Sequence, residues 1–206
     1  MADYRETGRP REREILPRDL RAHYIEARMN TWASNSERFS SWDLTVPGSK
    51  GFVYPAPGME AEHPSPYLYK DIYIDGKENG SFSGRETNTS GGNENDLITL
   101  YSCMGGLTGE GMELGEGFIY GRLLRGFLKD YSRDLRFGKN FSPIAILLSQ
   151  MPQTIFILKS VGKREGRTWH DEESIEIEGG PKIYVFKGEG IYNPEARRRA
   201  LLTNPS

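Results

Sequence analysis

The chain is nearly devoid of cysteine. Its 206 residues contain one, Cys103, which excludes an internal disulfide and leaves no cysteine–histidine spacing for a structural zinc. An excess of either charge is also missing. Lys and Arg total 27 against 29 Asp and Glu, a net charge of −2, which removes the bulk electrostatic case for a nucleic-acid partner. No apolar run approaches the ~20 residues that span a bilayer. The N-terminal MADYRETGRPREREILPRDL holds no apolar core of a secretion signal, so the expected location is cytoplasmic, with no membrane partner. Neither G-x-G-x-x-G nor G-x-x-x-x-G-K-[ST] occurs. The glycine stretch GGLTGEGMELGEGFIYGR, already acidic at Glu110, Glu113 and Glu116, therefore reads as a solvated loop or a lid over 105–116 rather than a phosphate cradle, and no cofactor is expected.

Glycine and proline are plentiful, 24 and 12, alongside 36% hydrophobic residues, which describes a globular, turn-rich chain with short helices. Residues 1–18 are dense in charges of both signs and poor in apolar partners, and read as a flexible arm. Asp19 stands as an N-cap, and Leu20, Tyr24 and Ala27, with Ile25, Met29 and Trp32, recur at helical spacing to about Ala33. Proline and glycine break every period between Ser34 and Pro66, apart from a short strand at Gly51–Tyr54. From Tyr67 the period becomes two. Leu68, Ile72 and Ile74 are expected to face helices, with Tyr69, Asp71 and Tyr73 on the opposite side. DGKENG and TSGGNEN separate this strand from 81–87 and from DLITLYSCM, a three-stranded meander. A helix over 117–131 follows, then the strands IAILLSQ, QTIFILKSVG, WHDEESIEIEG and PKIYVFKGEG. Asn193 and Pro194 open a short terminal helix.

The fold class is α+β, an antiparallel sheet with helices packed on one face, in a single domain over 19–192 followed by a short helix and tail over 193–206. Phe82 and Glu86 ahead of ITLYSCMGG match Trp169 and Glu173 ahead of KIYVFKGEG, which suggests an α-βββ duplication with repeats over 19–106 and 117–190.

The ordered segments ARMNTWA, TVPGSKGFVY, YLYKDIYIDG, FSGRE and ITLYSCMGG, with EESIEI and KIYVFKGEG later, resemble an uncharacterised prokaryotic family, domain-of-unknown-function family 5680. Its successive steps are similar to Y-x-D-x-Y-x-G, F-x-G-x-E and an aromatic strand closing on Tyr-x-Gly, and the likeness covers about residues 20–190. Some relatives follow a helix-turn-helix of transcription regulators. The 18 residues ahead of Asp19 are too short for one, and insertions at 55–66 and 88–96 set this chain apart. The resemblance implies a fold outline and no established activity.

Chemistry is expected on the tyrosine-bearing face. Tyr69 and Tyr73 with Arg85 on the next strand form a candidate ligand-binding set, in which the guanidinium would hold an anion bidentately. Asp71, Glu86 and Tyr101 form a candidate acid–base set, since a carboxyl among phenols in a dry site titrates late. The plainer account is cross-strand tyrosine packing, or the same face as a homodimer interface. His170 has acids beside it, but strand neighbours point to opposite faces, so no metal site is expected. Cys103 reads as a small core residue and Arg197, Arg198 and Arg199 as a solvated helix end. Small-molecule binding is the leading expectation, with a cofactor-independent acid–base enzyme and a homodimeric module as alternatives.

Overall fold

The structure, a computed structural model, describes residues 15–31, 49–55, 58, 61–62, 65–76, 80–90, 93–127 and 136–203. The elements are α1 (Arg18–Asn30), β1 (Ser49–Tyr54), β2 (Tyr67–Gly76), β3 (Ser81–Ser90), β4 (Asn93–Leu107), α2 (Gly109–Leu114), α3 (Glu116–Phe118) running into a π-helical turn (Ile119–Leu124), β5 (Phe141–Leu148), β6 (Met151–Glu165), β7 (Thr168–Ile177), β8 (Lys182–Tyr192) and α4 (Pro194–Thr203). All eight strands share one antiparallel sheet in the order β1-β2-β3-β4-β8-β7-β6-β5. Each half is a meander of four strands; the first has one more than the three expected, because Ser49–Tyr54 pairs along β2. The halves meet where β4 lies against β8.

The two meanders match in register. Glu86 lies opposite Tyr101 and Asp71, as Glu173 lies opposite Phe186 and Ser160. Phe82 faces Gly105, and Trp169 faces Gly190. Both glycines are sites of close approach. A Cβ on Gly105 would come within 2.9 Å of the Phe82 ring, and one on Gly190 within 2.0 Å of the Trp169 ring, so only glycine lets each aromatic lie flat on the next strand.

α1 forms where the periodicity placed it, with Leu20, Tyr24 and Ala27 fully buried. Its start differs from the expectation. Pro17 is the N-cap, and Asp19 sits in the first turn, favoured there by the helix dipole and accepting hydrogen bonds from the Tyr67 hydroxyl and Arg197. The expected arm is also cut short. Leu16 is buried in the core, so residues 15–18 are not part of a free arm, while residues 1–14 lie outside the described residues. Trp32 and Ala33 lie outside them too. The later helical stretch begins at Glu116 and runs through Phe127, burying Ile119, Leu123, Leu124 and Phe127; the expected extension over 128–131 is outside the described residues.

The largest revision concerns which side of the sheet is covered. Tyr67, Tyr69 and Asp71 of β2 are buried against α1, while Ile74 is 46% exposed. The expectation that Leu68, Ile72 and Ile74 face the helices is therefore inverted. The amphipathic face of α1 carries Tyr24 and Arg28 beside Leu20 and Ala27, and such a face packs on aromatic and hydrogen-bonding partners as well as on aliphatic ones. The same parity runs through the sheet, with Glu86, Tyr101, Trp169, Asp171, Glu173 and Phe186 all on the helix-covered side. No described helix covers the other side, the open face, where Met104 is 63% and Val161 62% exposed.

Candidate functional site

The expected site residues separate into two environments. Tyr69, Asp71, Glu86 and Tyr101 lie together in the interior. Arg85 does not join them. Successive residues of a strand alternate, so Arg85 points to the open face while Glu86 points to the core, a correction to the paired use of the two. Tyr73 shares the side of Asp71 but sits near the sheet edge, half-buried and stacked on Phe52 with ring centroids 6.0 Å apart.

The interior holds two buried ion pairs, neither anticipated from sequence. Arg28 of α1 donates from Nε to Glu86 Oε2 at 2.9 Å, with Nη2 at 2.8 Å, and its guanidinium lies 4.3 Å from the Tyr24 ring centroid and 5.5 Å from that of Tyr101. Arg136, ahead of β5, donates from Nε to Glu173 Oε2 at 3.1 Å and Oε1 at 3.3 Å, and covers the Phe186 ring at 3.8 Å. A guanidinium satisfies both requirements because it is planar, weakly hydrated and forked. Between the pairs, the Tyr101 hydroxyl donates to Asp171 Oδ2 at 3.2 Å, and Gly138 N donates to Asp171 Oδ1 at 2.8 Å.

Among the described residues, four buried carboxyls thus share the interior with two guanidiniums, a surplus of acidic groups. Burial, then the facing Glu86, pushes the Asp71 carboxyl well above the usual carboxylate range. Burial, then Glu173, pushes Asp171 up to about 7. The Tyr69 hydroxyl is fully enclosed and has no hydrogen-bond partner among the described residues. Cys103, half-buried beside this cluster, has its thiol pushed up to about 12 by burial and then by Glu86, which suits a packing residue rather than a nucleophile. Arg28 had one legible signal, its place one helical turn from Tyr24 on the buried face of α1. Arg136 follows the segment 128–135 and had none.

Other expectations shift in position. His170 lies on β7 at the open face, with Nδ1 3.1 Å from Glu189 Oε1. His23 is buried between the rings of Tyr54 and Tyr67, its Nδ1 3.0 Å from Ser65 Oγ, and burial pulls it down to about 4. No group of three potential metal ligands occurs among the described residues. Arg197 is not merely solvated. It reaches Asp19 at 2.8 Å and the Tyr67 hydroxyl at 3.0 Å, joining α4 to α1. The expected 105–116 loop is ordered: residues 105–107 complete β4, and α2 follows with Thr108 as its cap.

A concavity of ligand size lies among the described residues on the open face. A cleft of about 960 Å³ crosses β2, β3, β4, β8, β7 and β6, with Ile74, Met104, Val161 and Val185 among its walls and Lys159, Lys182 and Lys187 toward one end. None of Tyr69, Tyr73, Asp71, Arg85, Glu86 or Tyr101 lines it. Its walls follow from strand parity, since these residues alternate with the buried ones. Sequence reasoning missed it because its members are spread over six strands. Compared with known proteins, the chain matches no family model, no curated protein and no solved structure.

Proposed function

We propose that the protein binds a small molecule in the open-face cleft, and that the tyrosine-bearing side serves as the rigid platform beneath it. The observation that carries this reading is the cleft itself. Its volume of about 960 Å³ falls in the range of small-molecule sites. Four large apolar side chains in its walls are exposed, Ile74 at 46%, Met104 at 63%, Val161 at 62% and Val185 at 42%. Covering them with a ligand returns roughly 25 cal/mol for each Å² removed from water. The interior ion pairs hold the strands beneath in one arrangement, which lowers the ordering cost on binding.

The test is dye binding. 1-Anilinonaphthalene-8-sulfonate should bind the native protein with enhanced fluorescence, and Val185→Asp should weaken that binding at least tenfold while leaving the circular-dichroism spectrum unchanged. Unaltered dye affinity in Val185→Asp would remove the cleft as the site.

Two statements about origin belong with this reading. The chain descends from a duplication of an α-ββββ unit, supported by the matched registers of Glu86 and Glu173 and by the repeated arginine, glutamate and aromatic grouping. It is also a diverged relative of domain-of-unknown-function family 5680. That reading rests on the order of the segments YLYKDIYIDG, FSGRE and ITLYSCMGG in the sequence.

A further inference from the structure

The strand registers define the shape of the cleft in detail, and the following rests on the reading of that cleft as a ligand site. One row of open-face neighbours runs Lys159, Ser174, Val185, Gly106, Ser81, Gly76, each directly opposite the next across β6, β7, β8, β4, β3 and β2. The adjacent row runs Val161, Glu172, Lys187, Met104, Ser83, Ile74 in the same way. Short side chains dominate the first row and long ones the second, so the cleft has a low floor beside a raised wall and runs across the strands. Six strands are five spacings of ~4.8 Å, or roughly 24 Å. That is the length of an extended long-chain acyl group.

Charge is distributed unequally along this length. Over β4, β3 and β2 the two rows are Gly106, Ser81 and Gly76 beside Met104, Ser83 and Ile74, with no ionisable group among them. Over β6, β7 and β8 the cleft has three ammonium groups. Lys187 is matched by Glu172 at 3.0 Å. Lys159 is ion-paired with Glu176, and Lys182, opposite Glu176 across β7 and β8, makes no ion pair with that carboxylate, so one positive charge is left over. Lys182 has no ion-pair partner among the described residues.

A trough with one cationic end and one uncharged apolar end fits an occupant with the opposite polarity. We propose that the cleft takes a linear amphipathic anion, a long-chain acyl carboxylate, its head group at Lys159 and Lys182 and its tail lying over β4, β3 and β2 beside Met104 and Ile74. The carboxylate completes the unmatched ammonium pair, and the tail covers apolar surface that water otherwise wets.

The experiment is displacement of 1-anilinonaphthalene-8-sulfonate by hexadecanoate and by hexadecan-1-ol, followed by calorimetric titration of each lipid. Hexadecanoate should displace the dye and bind at least tenfold more tightly than the alcohol. Lys182→Glu should erase that preference, weakening hexadecanoate about tenfold or more and leaving the alcohol unchanged, while Val185→Asp weakens both. Dye binding that is sensitive to Val185→Asp but not displaced by hexadecanoate would overturn the acyl assignment and leave the cleft reading standing. Equal affinity for acid and alcohol would overturn the head-group placement. Dye and lipid binding both indifferent to Val185→Asp would overturn the cleft reading itself.

Discussion

Arg28 and Arg136 are charged groups placed where a core would ordinarily hold leucine. Each is 5% exposed or less, and each is matched by one glutamate and by aromatic faces, Tyr24, Phe137 and Tyr101 around Arg28 and Phe186 over Arg136. Removing one partner of such a pair strands the other without solvent, at a cost of about 3–5 kcal/mol, whereas replacing both with apolar groups is far milder. Arg28→Met should therefore lose about that much stability in urea denaturation, and Arg28→Met with Glu86→Leu should recover most of it. Arg136→Met should cost a similar amount if the proposed duplication is correct; a cost near zero at one site only would count against the equivalence of the two pairs. At this scale the sequence was legible in part. Tyr69, Asp71 and Tyr73 were grouped with Arg85, Glu86 and Tyr101; the structure brings Tyr69, Asp71, Glu86 and Tyr101 together, leaves Tyr73 near the sheet edge and turns Arg85 to the other side. Their surroundings were not legible, because alternation distinguishes two faces without saying which one is covered.

α2 shows how an element can hide in a composition that argues against it. Its six residues GEGMEL include two glycines, and a run so poor in helix formers reads as a loop. Tertiary contacts decide otherwise. Thr108 accepts from Gly111 N at 3.2 Å and donates to Lys182 O at 2.6 Å, tying the cap to β8. A Cβ on Gly111 would fall 2.0 Å from Ile183 O, so this glycine permits close approach to the strand and is not a hinge. Thr108→Ala should cost about 1 kcal/mol by the loss of the cap, measured as a lower urea midpoint at unchanged slope. Long strands with strict period two, β2, β7 and β8, were readable because each has one buried face. β1 was visible as a fragment, but its membership of the meander depends on pairing with β2.

For the molecule as a whole, buried titratable groups act on stability in opposite directions. The His23 ring is pulled from 6.5 to about 4 in the folded state, so the unfolded chain takes up that proton first and stability is lost as pH falls from about 6.5 toward 4. The Asp171 carboxyl is pushed from 3.8 to about 7, so the folded chain holds a proton that the unfolded chain has released, and stability is lost as pH rises from about 4 to 7. Each is worth roughly 3–4 kcal/mol at full expression, and over the shared window they largely cancel. Denaturation of His23→Gln should accordingly show stability falling as pH rises from 4 to 7, relative to the native protein, and Asp171→Asn should show stability rising over that range relative to the native protein. Parallel profiles for all three proteins would contradict both assignments.

The sequence by itself determined the alternation of β2, β7 and β8, the helical face of α1, and the α+β class, because these depend on the spacing of apolar and polar residues within one segment. Tertiary structure alone decided that a single eight-stranded sheet joins the halves through β4 and β8, that α1 covers the tyrosine side, and that Arg136 reaches Glu173. Those outcomes depend on pairing between residues far apart in the chain, where parity and periodicity carry no information. The segment YLYKDIYIDG announced two faces; which one met water was settled by the partner packed against it.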